Sequence, residues 1–176
     1  EEWTSSDKPH DISGKLIAGK TYTLHEENAP DGYAYAEDFT FTVEKDGTIT
    51  VDAANKDENG VIIMKDDVTK VSIDKRDITG ENEVPEATLQ VKDEAGKVVE
   101  EWTSSDKPHD ISGKLIAGKT YTLHEENAPD GYAYAEDITF TVEKDGTITV
   151  DAANKDENDV IIMKDDVTKV SNDWFG

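Results

Sequence analysis

The sequence predicts an all-β protein, an antiparallel β-sandwich present in tandem copies. Val, Ile, Thr, Tyr and Phe alternate with polar residues over short runs, as they do in strands with one buried face. Turn-forming residues interrupt these runs about every eight to twelve residues. No run shows a convincing apolar stripe of helical period. Short strands joined by frequent turns are typical of an antiparallel sandwich.

The tandem organisation follows from an internal repeat. Residues 1–72 recur at 100–171, with an offset of 102 − 3 = 99 between the first two tryptophans, and the copies differ only at Phe39/Ile138 and Gly60/Asp159. One period is the size of a small sandwich domain. We therefore expect 1–67 to be the C-terminal part of a preceding module, 68–166 a complete module, and 167–176 the start of a further repeat or a terminal tail.

Turn signals divide the complete module into strands. In chain order, the turns are predicted at Thr79-Gly80, 93–96, Ser112-Gly113, Ala117-Gly118, 129–131 and 144–146. The strands that they separate are predicted at 69–76, 87–92, 97–102, 119–126, 137–143, 147–150 and 160–166. Because residues 1–67 lack the first of these strands, we expect that segment either to dock loosely or to be completed by a strand from a neighbouring chain.

Three charged residues break the alternation of three different strands. In the first strand, Val71 and Ile73 share a face with Lys75, since side chains point to alternate faces. By the same count Glu125 closes the apolar face of 119–126, and Asp165 closes that of 160–166. A lysine at a strand end can extend its amine to solvent. However, buried charges are costly unless paired, so three of them in one small core indicate a single site.

Charge and composition exclude several functions. The chain has 18 Lys plus Arg against 41 Asp plus Glu, a net charge of -23, which argues against binding to nucleic acid or anionic membranes. It has no cysteine, and therefore no disulfide or thiolate site. No apolar run approaches the roughly 20 residues needed to span a bilayer. We expect no cofactor.

Other candidate sites are weaker. The acidic loop 151–159 lacks the ligand spacing of a helical calcium loop, so we expect a solvated turn and no metal. His109 and His124 have no second histidine at ligand spacing, and we expect His124 to be exposed. Ser104-Ser105 with His109 nearby lies in a predicted loop and does not form a triad. A ligand groove could be lined by Trp102, Tyr132 and Tyr134. More often, however, aromatic residues in sandwiches pack in the core or at an edge.

Three segments resemble a known family. Residues 121–132, Tyr-Thr-Leu-His-Glu-Glu-Asn-Ala-Pro-Asp-Gly-Tyr, resemble the glutamate-bearing segment of the collagen-adhesin B-type (Cna B-type, SpaA-like pilin) repeat of Gram-positive surface proteins. Residues 72–80 resemble its first strand and 160–165 its last. The resemblance covers 68–166. It implies an inverse-immunoglobulin sandwich whose first and last strands lie parallel and are joined by a spontaneous isopeptide bond from lysine to aspartate or asparagine.

By position, the resemblance implies that Lys75 is the nucleophile, Asp165 the electrophile and Glu125 the proton shuttle. Burial would favour the neutral amine and acid that must react. Asp66 lies only nine residues before Lys75, but nine extended residues span roughly 30 Å, and a strand enters the next module end to end. We therefore assign Asp66 to the preceding module.

The first copy repeats the glutamate and the aspartate, at Glu26 and Asp66, but this chain carries no lysine for it. In the second copy, Trp174 stands where a further lysine would be. The lysine of the proposed site thus occurs once.

We therefore expect a structural stalk module of a bacterial cell-surface adhesin or pilus, extracellular and attached to the cell wall. Its partners would be neighbouring modules, with any host matrix protein or glycan bound through other domains. It would not be an enzyme beyond one self-condensation. The alternative is a ligand-binding adhesin sandwich in which Lys75, Glu125 and Asp165 form only a buried ion network.

Overall fold

A computed structural model describes residues 1–172, so Trp174 lies outside the described residues. The chain forms two compact units. The first comprises Glu1–Ala29 and Tyr35–Asp66, and the second comprises Pro30–Ala34 and the described chain from Asp67 onward. Both units consist of strands, turns and one short 3-10 helix each. The division of the chain into a preceding module (1–67), a complete module (68–166) and a tail (167–176) stays a prediction.

The first unit contains one small antiparallel sheet. Its strands are β1 (Thr21–Leu24), β2 (Phe39–Val43) and β3 (Ile49–Thr50), in the order β1-β2-β3, followed by a 3-10 helix at Ala53–Asn55. The side chains of β1 alternate between exposed and only half-buried. One face of β1 therefore lacks the cover that its equivalent has in the second unit.

The second unit is a two-sheet sandwich. Its strands are β4 (Ser72–Asp77), β5 (Thr88–Lys92), β6 (Val98–Thr103), β7 (His109–Asp110), β8 (Thr120–Asn127), β9 (Ile138–Val142), β10 (Ile148–Thr149) and β11 (Ile161–Asp165), with a 3-10 helix at Ala152–Asn154. One sheet has the order β10-β9-β8-β5-β6 and the other β11-β4-β7. The predicted all-β class is confirmed, and each of the seven predicted strands is present.

Two features of the second unit were not predicted. The strand β7 lies in a segment that was predicted as a loop, and it pairs with β4. The 3-10 helix at Ala152–Asn154 begins after Asp151, whose carboxylate accepts a hydrogen bond from the Ala153 amide at 2.9 Å. The sequences of these two elements, His-Asp and Ala-Ala-Asn, contain no alternation of apolar and polar residues from which they could be predicted.

The sheet of three strands sets the position of the site. Strands β4 and β11 pair in parallel, with Ile161 opposite Ile73 and Met163 opposite Lys75. Asp165 lies two residues beyond Met163 and therefore on the same face of β11. The side chains of Lys75 and Asp165 thus leave adjacent strands toward the interior.

The core lies between the two sheets. It is formed by apolar side chains of both, and the largest fully buried side chains include Phe140, Leu123 and, unusually, Lys75. Aromatic residues pack on β8 and β9, where the Tyr121 and Phe140 ring centroids are 5.9 Å apart. A charged residue within such a core requires partners that are equally buried.

Candidate functional site

Lys75 lies on the apolar face of β4. Val71, Ile73 and Lys75 are each 1% exposed, so the predicted apolar face of this strand is buried, and the lysine does not extend to solvent. Its four methylene groups occupy the place of a large apolar side chain. Only the amine at the end of the side chain then needs a polar partner.

Two carboxylates meet this amine. Lys75 Nζ donates a hydrogen bond to Asp165 Oδ1 and lies 3.1 Å from Glu125 Oε1. The side chains of all three residues are fully buried. The structure therefore brings together the three residues that the sequence singled out, one each from β4, β8 and β11.

Burial dominates the electrostatics of the site. It raises the pKa of Asp165 to about 6, since the hydrogen bond and positive charge of Lys75 oppose the shift only in part and the nearby Glu125 carboxyl adds to it. Among the described residues 1–172, Asp165 Oδ2 has no hydrogen-bond partner. Neither does Glu125 Oε1, which is within ion-pair distance of the amine but outside hydrogen-bond geometry. Buried oxygens without hydrogen-bond partners are costly, so the ionised form of this site is destabilised.

A backbone group fixes the glutamate. The Ala135 amide donates a hydrogen bond of 2.7 Å to Glu125 Oε2, which leaves Oε1 directed at the amine. Sequence analysis missed this contact, because a backbone N–H carries no residue-specific signal and Ala135 lies ten residues away along the chain. Glu125 is thus held in place through Oε2, while Oε1 remains free to exchange a proton with the Lys75 amine.

The first unit contains the same acid pair without an amine. Glu26 Oε2 accepts a hydrogen bond of 2.7 Å from the Ala36 amide, as Glu125 does from Ala135. The pKa of Asp66 is raised by burial, and further by the charge of Glu26 and a hydrogen bond with it. Both carboxyls are half-buried. The acidic half of the site therefore assembles in the first unit without the lysine strand.

A second charged cluster lies on the opposite face of β4. Asp74, on the face of β4 opposite to Lys75, is only 2% exposed, and its carboxylate accepts a hydrogen bond of 2.7 Å from Arg76 Nε. Glu83 lies 3.9 Å from Arg76 Nε, and Asp156 lies 3.4 Å from Arg76 Nη2. Burial, followed by a hydrogen bond with Asp74 and its charge, raises the pKa of Glu83 to about 7. The pattern gave no sign of this cluster, because Glu83 and Asp156 reach it from loops.

The remaining candidates have ordinary structural contacts. The Trp102 and His109 rings stack at 4.5 Å, and His109 Nε2 lies 3.0 Å from Glu100. His124 is half-buried, not exposed as expected, and its Nδ1 lies 2.7 Å from Asp137. The cavity beside Trp102 measures about 80 Å³, which is small against the roughly 300 Å³ at which ligand pockets begin.

The other candidate residues are placed as follows. Tyr132 is half-buried and Tyr134 exposed. Ser104 is buried, where its hydroxyl donates to the Val84 carbonyl at 2.7 Å. In the acidic loop, Asp156 Oδ1 accepts from the backbone amides of Asn158 and Val160. Within residues 1–172 no group of three or more His, Asp or Glu side chains is arranged to hold a metal ion.

Comparison with known proteins gives a family match. The sequence profile of SpaA, described as a prealbumin-like fold domain, matches residues 1–57 and 69–156. No match was found among curated proteins. Within residues 1–172 no helix has the length and apolar character needed to cross a membrane.

Solved structures with similarity to the chain include two pilus adhesins. The C-terminal fragment of the pilus adhesin SpaC from Lactobacillus rhamnosus GG is 19% identical over 89% of this chain and 79% of that one, with a TM-score of 0.47. The pilus-presented adhesin Spy0125 (Cpa) is 34% identical over 48% of this chain, with a TM-score of 0.41. The chain covers 19% of that protein.

Proposed function

The chain belongs to the SpaA family of prealbumin-like fold domains, and we propose that residues 68–166 form a load-bearing stalk module of a bacterial surface adhesin or pilus, locked by an isopeptide bond between Lys75 and Asp165. The observation that carries the proposal is the buried contact of Lys75 Nζ with the Asp165 carboxyl, beside Glu125. The family match supports the resemblance to SpaA-like pilin repeats that the sequence indicated.

The bond would form by condensation of an amine with an acid. The neutral Nζ of Lys75 attacks Cγ of the protonated Asp165 carboxyl, a C–N bond forms, a C–O bond breaks, and one water molecule leaves. The raised pKa of Asp165 favours its protonated form. The fixed contact between the two groups supplies a large effective concentration, so that no external catalyst is needed.

Glu125 is the proton carrier in this proposal. Its Oε1 is 3.1 Å from Nζ, while its Oε2 is held by the Ala135 amide. It can accept a proton from the attacking nitrogen and deliver it to the departing oxygen of Asp165, whose carboxyl contacts the same amine. The product is a neutral amide, so Lys75 and Asp165 can no longer ionise in the core, and the desolvation cost of that ion pair is avoided.

The bond would close a loop of 165 − 75 = 90 residues. By the loop-entropy estimate for disulfides, such a cross-link stabilises the folded state by about 4 to 5 kcal/mol. The chain has no cysteines, so a disulfide cannot supply this stabilisation. A cross-link between the first and last strands suits a stalk that must resist extension.

Intact-mass measurement tests the proposal. We expect the wild-type chain to be lighter by one water than its sequence requires, and peptide mapping to recover a branched peptide containing Lys75 and Asp165. Mapping is needed because an Asp-Gly pair such as Asp145-Gly146 can also lose water by cyclisation. The Lys75→Ala chain should have the full mass.

The matched control is Lys164→Ala, which removes an exposed lysine of β11 and should keep the water loss. A full mass for the folded wild-type chain would overturn the proposed bond. It would favour the alternative, an adhesin sandwich with an uncondensed ion network. In that case affinity for a matrix protein or glycan should survive Lys75→Ala.

A further inference from the structure

The loops 52–61 and 151–160 differ at one position. Residues 52–59 recur at 151–158, and the next residue is Gly60 in the first unit and Asp159 in the second. Both residues adopt the left-handed backbone conformation, with φ of 79° for Gly60 and 61° for Asp159. The two loops therefore differ by one side chain on backbones that bend in the same way.

The hydrogen bonds of the two loops also correspond. In the first unit, Asp57 Oδ1 accepts from the amides of Asn59 at 2.8 Å and Val61 at 2.9 Å. The Gly60 amide donates to the Asp57 carbonyl at 3.1 Å. The equivalent distances in the second unit are 2.8, 3.0 and 3.2 Å. The turn thus holds the backbone nitrogen after the asparagine in the same way in both loops.

Asn59 and Asn158 occupy the same place in these loops. Both are exposed, and within residues 1–172 neither side-chain amide has a hydrogen-bond partner. Asn59 is followed by glycine, as no other asparagine in the sequence is. Among the described residues no atom lies within 4 Å of a Cβ placed on Gly60. The peptide between Asn59 and Gly60 therefore has room to rearrange.

An exposed asparagine can react with the backbone that follows it. The amide nitrogen of the next residue lies within reach of the asparagine Cγ, and its attack closes a five-membered ring. A side chain on the next residue crowds this approach, whereas glycine has only a hydrogen at that place. The Cβ of Asp159 therefore shields Asn158, and Gly60 leaves Asn59 unshielded.

We propose that Asn59 is a site of spontaneous deamidation, and that Asp159 protects Asn158 from the same reaction. The Gly60 nitrogen loses its proton and attacks Cγ of Asn59. A bond between that nitrogen and Cγ forms, the bond from Cγ to the side-chain nitrogen breaks, and the side-chain nitrogen leaves with the proton as ammonia. Because the attacking nitrogen must lose a proton, the reaction accelerates as the pH rises.

Water then opens the ring at one of its two carbonyls. One product is aspartate at position 59. The other is isoaspartate, in which the main chain runs through the former side chain and is longer by one methylene group. Both products carry a new negative charge. The sequence of steps consumes one water, releases one ammonia and involves no oxidation or reduction.

Isoaspartate at this turn would disturb the chain that follows it. In the second unit the turn leads directly into β11, whose first residue, Ile161, forms a bridge with Lys155 on the other side of the turn. An added methylene at position 158 would shift the strand that carries Asp165. Avoidance of this reaction accounts for an aspartate at a left-handed position where glycine has the lower steric cost. The reaction itself does not depend on the proposed isopeptide bond.

Peptide mapping of the full chain after incubation at mildly alkaline pH tests the proposal. Tryptic peptides 57–65 and 156–164 differ in sequence, so one digest reports on both asparagines under identical conditions. We expect peptide 57–65 to gain about 1 Da, from exchange of an amide for an acid, and to separate into two isomers. Peptide 156–164 should stay unchanged over the same period.

Exchange of the differing residue gives the matched variants. Asp159→Gly should make Asn158 react at the rate of Asn59. Gly60→Asp should slow the reaction of Asn59 by at least about tenfold, since the attack depends on close approach. Gly60→Ala adds only a Cβ and should also slow the reaction, which separates crowding from charge. Circular dichroism verifies that each variant is folded.

An Asn59 that stays intact, or that reacts no faster than Asn158, would overturn the proposal. So would an Asp159→Gly chain in which Asn158 reacts as slowly as in the wild type. The isopeptide bond is measured independently in the same digest, because it removes the mass of one water from a different pair of peptides.

Discussion

The chemistry of the site depends on how few polar atoms surround the Lys75 amine. Lys75 is buried in the same sheet as Ile73 and Met163, and among residues 1–172 only Glu125 and Asp165 form ion pairs with its Nζ. If all three groups were ionised, two negative charges would face one positive charge without water. Two facing carboxylates favour protonation of one of them, and burial raises the pKa of Asp165 to about 6. Condensation would leave Glu125 in place, still bound to the Ala135 amide.

A variant that cannot condense should reveal the titration of Asp165. Lys75→Met keeps most of the side-chain volume and leaves Asp165 as a buried acid. The pKa of Asp165 is already raised to about 6, against 3.8 in an unfolded chain, and loss of the amine moves it further upward. The folded state then binds the proton more tightly, so the destabilisation is absent below about pH 4 and grows as the pH rises through the folded pKa. Relative to the wild type, unfolding free energy should fall by about 2 to 3 kcal/mol between pH 4 and pH 7.

Urea unfolding at a series of pH values measures this difference. The matched control is the double variant Lys75→Met/Asp165→Asn, which has no acid at this position and should lose the pH-dependent part of the difference. A Lys75→Met profile parallel to that of the wild type would contradict a buried, proton-holding Asp165.

At the scale of strands, the sequence predicted what depends on local alternation. Lys75, Glu125 and Asp165 were found because each closes an apolar face of its own strand. The parallel pairing of β4 with β11 came only from the resemblance, since alternation does not say which strands are neighbours. The burial of Asp74 and the Ala135 amide contact were missed. Both depend on loops that return to a strand, and no pattern within the strand records them.

The cluster around Arg76 should limit stability at neutral and alkaline pH. The pKa of Glu83 is raised from 4.5 to about 7 by burial and by Asp74, with Arg76 opposing. The folded state holds this proton more tightly than the unfolded state, so a destabilisation appears as the pH rises from about 4.5 through 7. Glu83→Gln should therefore stabilise the protein by about 1 to 2 kcal/mol at pH 8, after allowance for partial exposure, and by almost nothing at pH 4.

Thermal unfolding of Glu83→Gln at the two pH values measures this effect. Glu81→Gln provides the control, because Glu81 lies in the same connection but is exposed. An equal effect of Glu83→Gln on stability at both pH values would contradict a raised pKa of the Glu83 carboxyl.

The turn before β11 contains one of the two differences between the copies. Asp159 has φ of 61°, in the left-handed region, where the first copy has Gly60 with φ of 79°. Glycine adopts this conformation without the steric cost of a Cβ. The exposed ion pair of Asp159 with Lys155, at 3.0 Å, offsets little of that cost. Asp159→Gly should raise the unfolding free energy by about 0.5 to 1 kcal/mol, as measured by urea unfolding. Asp159→Ala, which keeps the Cβ, should give no gain.

At the scale of the whole second unit, the path of tension follows from the topology. The chain enters the sandwich through β4 and leaves it through β11, and these strands are parallel neighbours. A pull on both ends therefore acts directly on this pair of strands. With the proposed bond in place, force would pass from Lys75 to Asp165 through covalent bonds. The 89 residues between them (164 − 76 + 1) would carry no load.

Stretching of single molecules from both ends tests this path. Without the bond, unfolding should release the 90 residue steps from Lys75 to Asp165, which at about 3.4 Å per residue add roughly 300 Å of contour length. We expect that extension for Lys75→Ala and not for the wild type, while the contribution of the first unit is the same in both. Lys164→Ala keeps the reacting lysine and should behave like the wild type. If the wild type and Lys75→Ala release the same length, the sandwich bears load through hydrogen bonds alone, because no covalent path then joins β4 to β11.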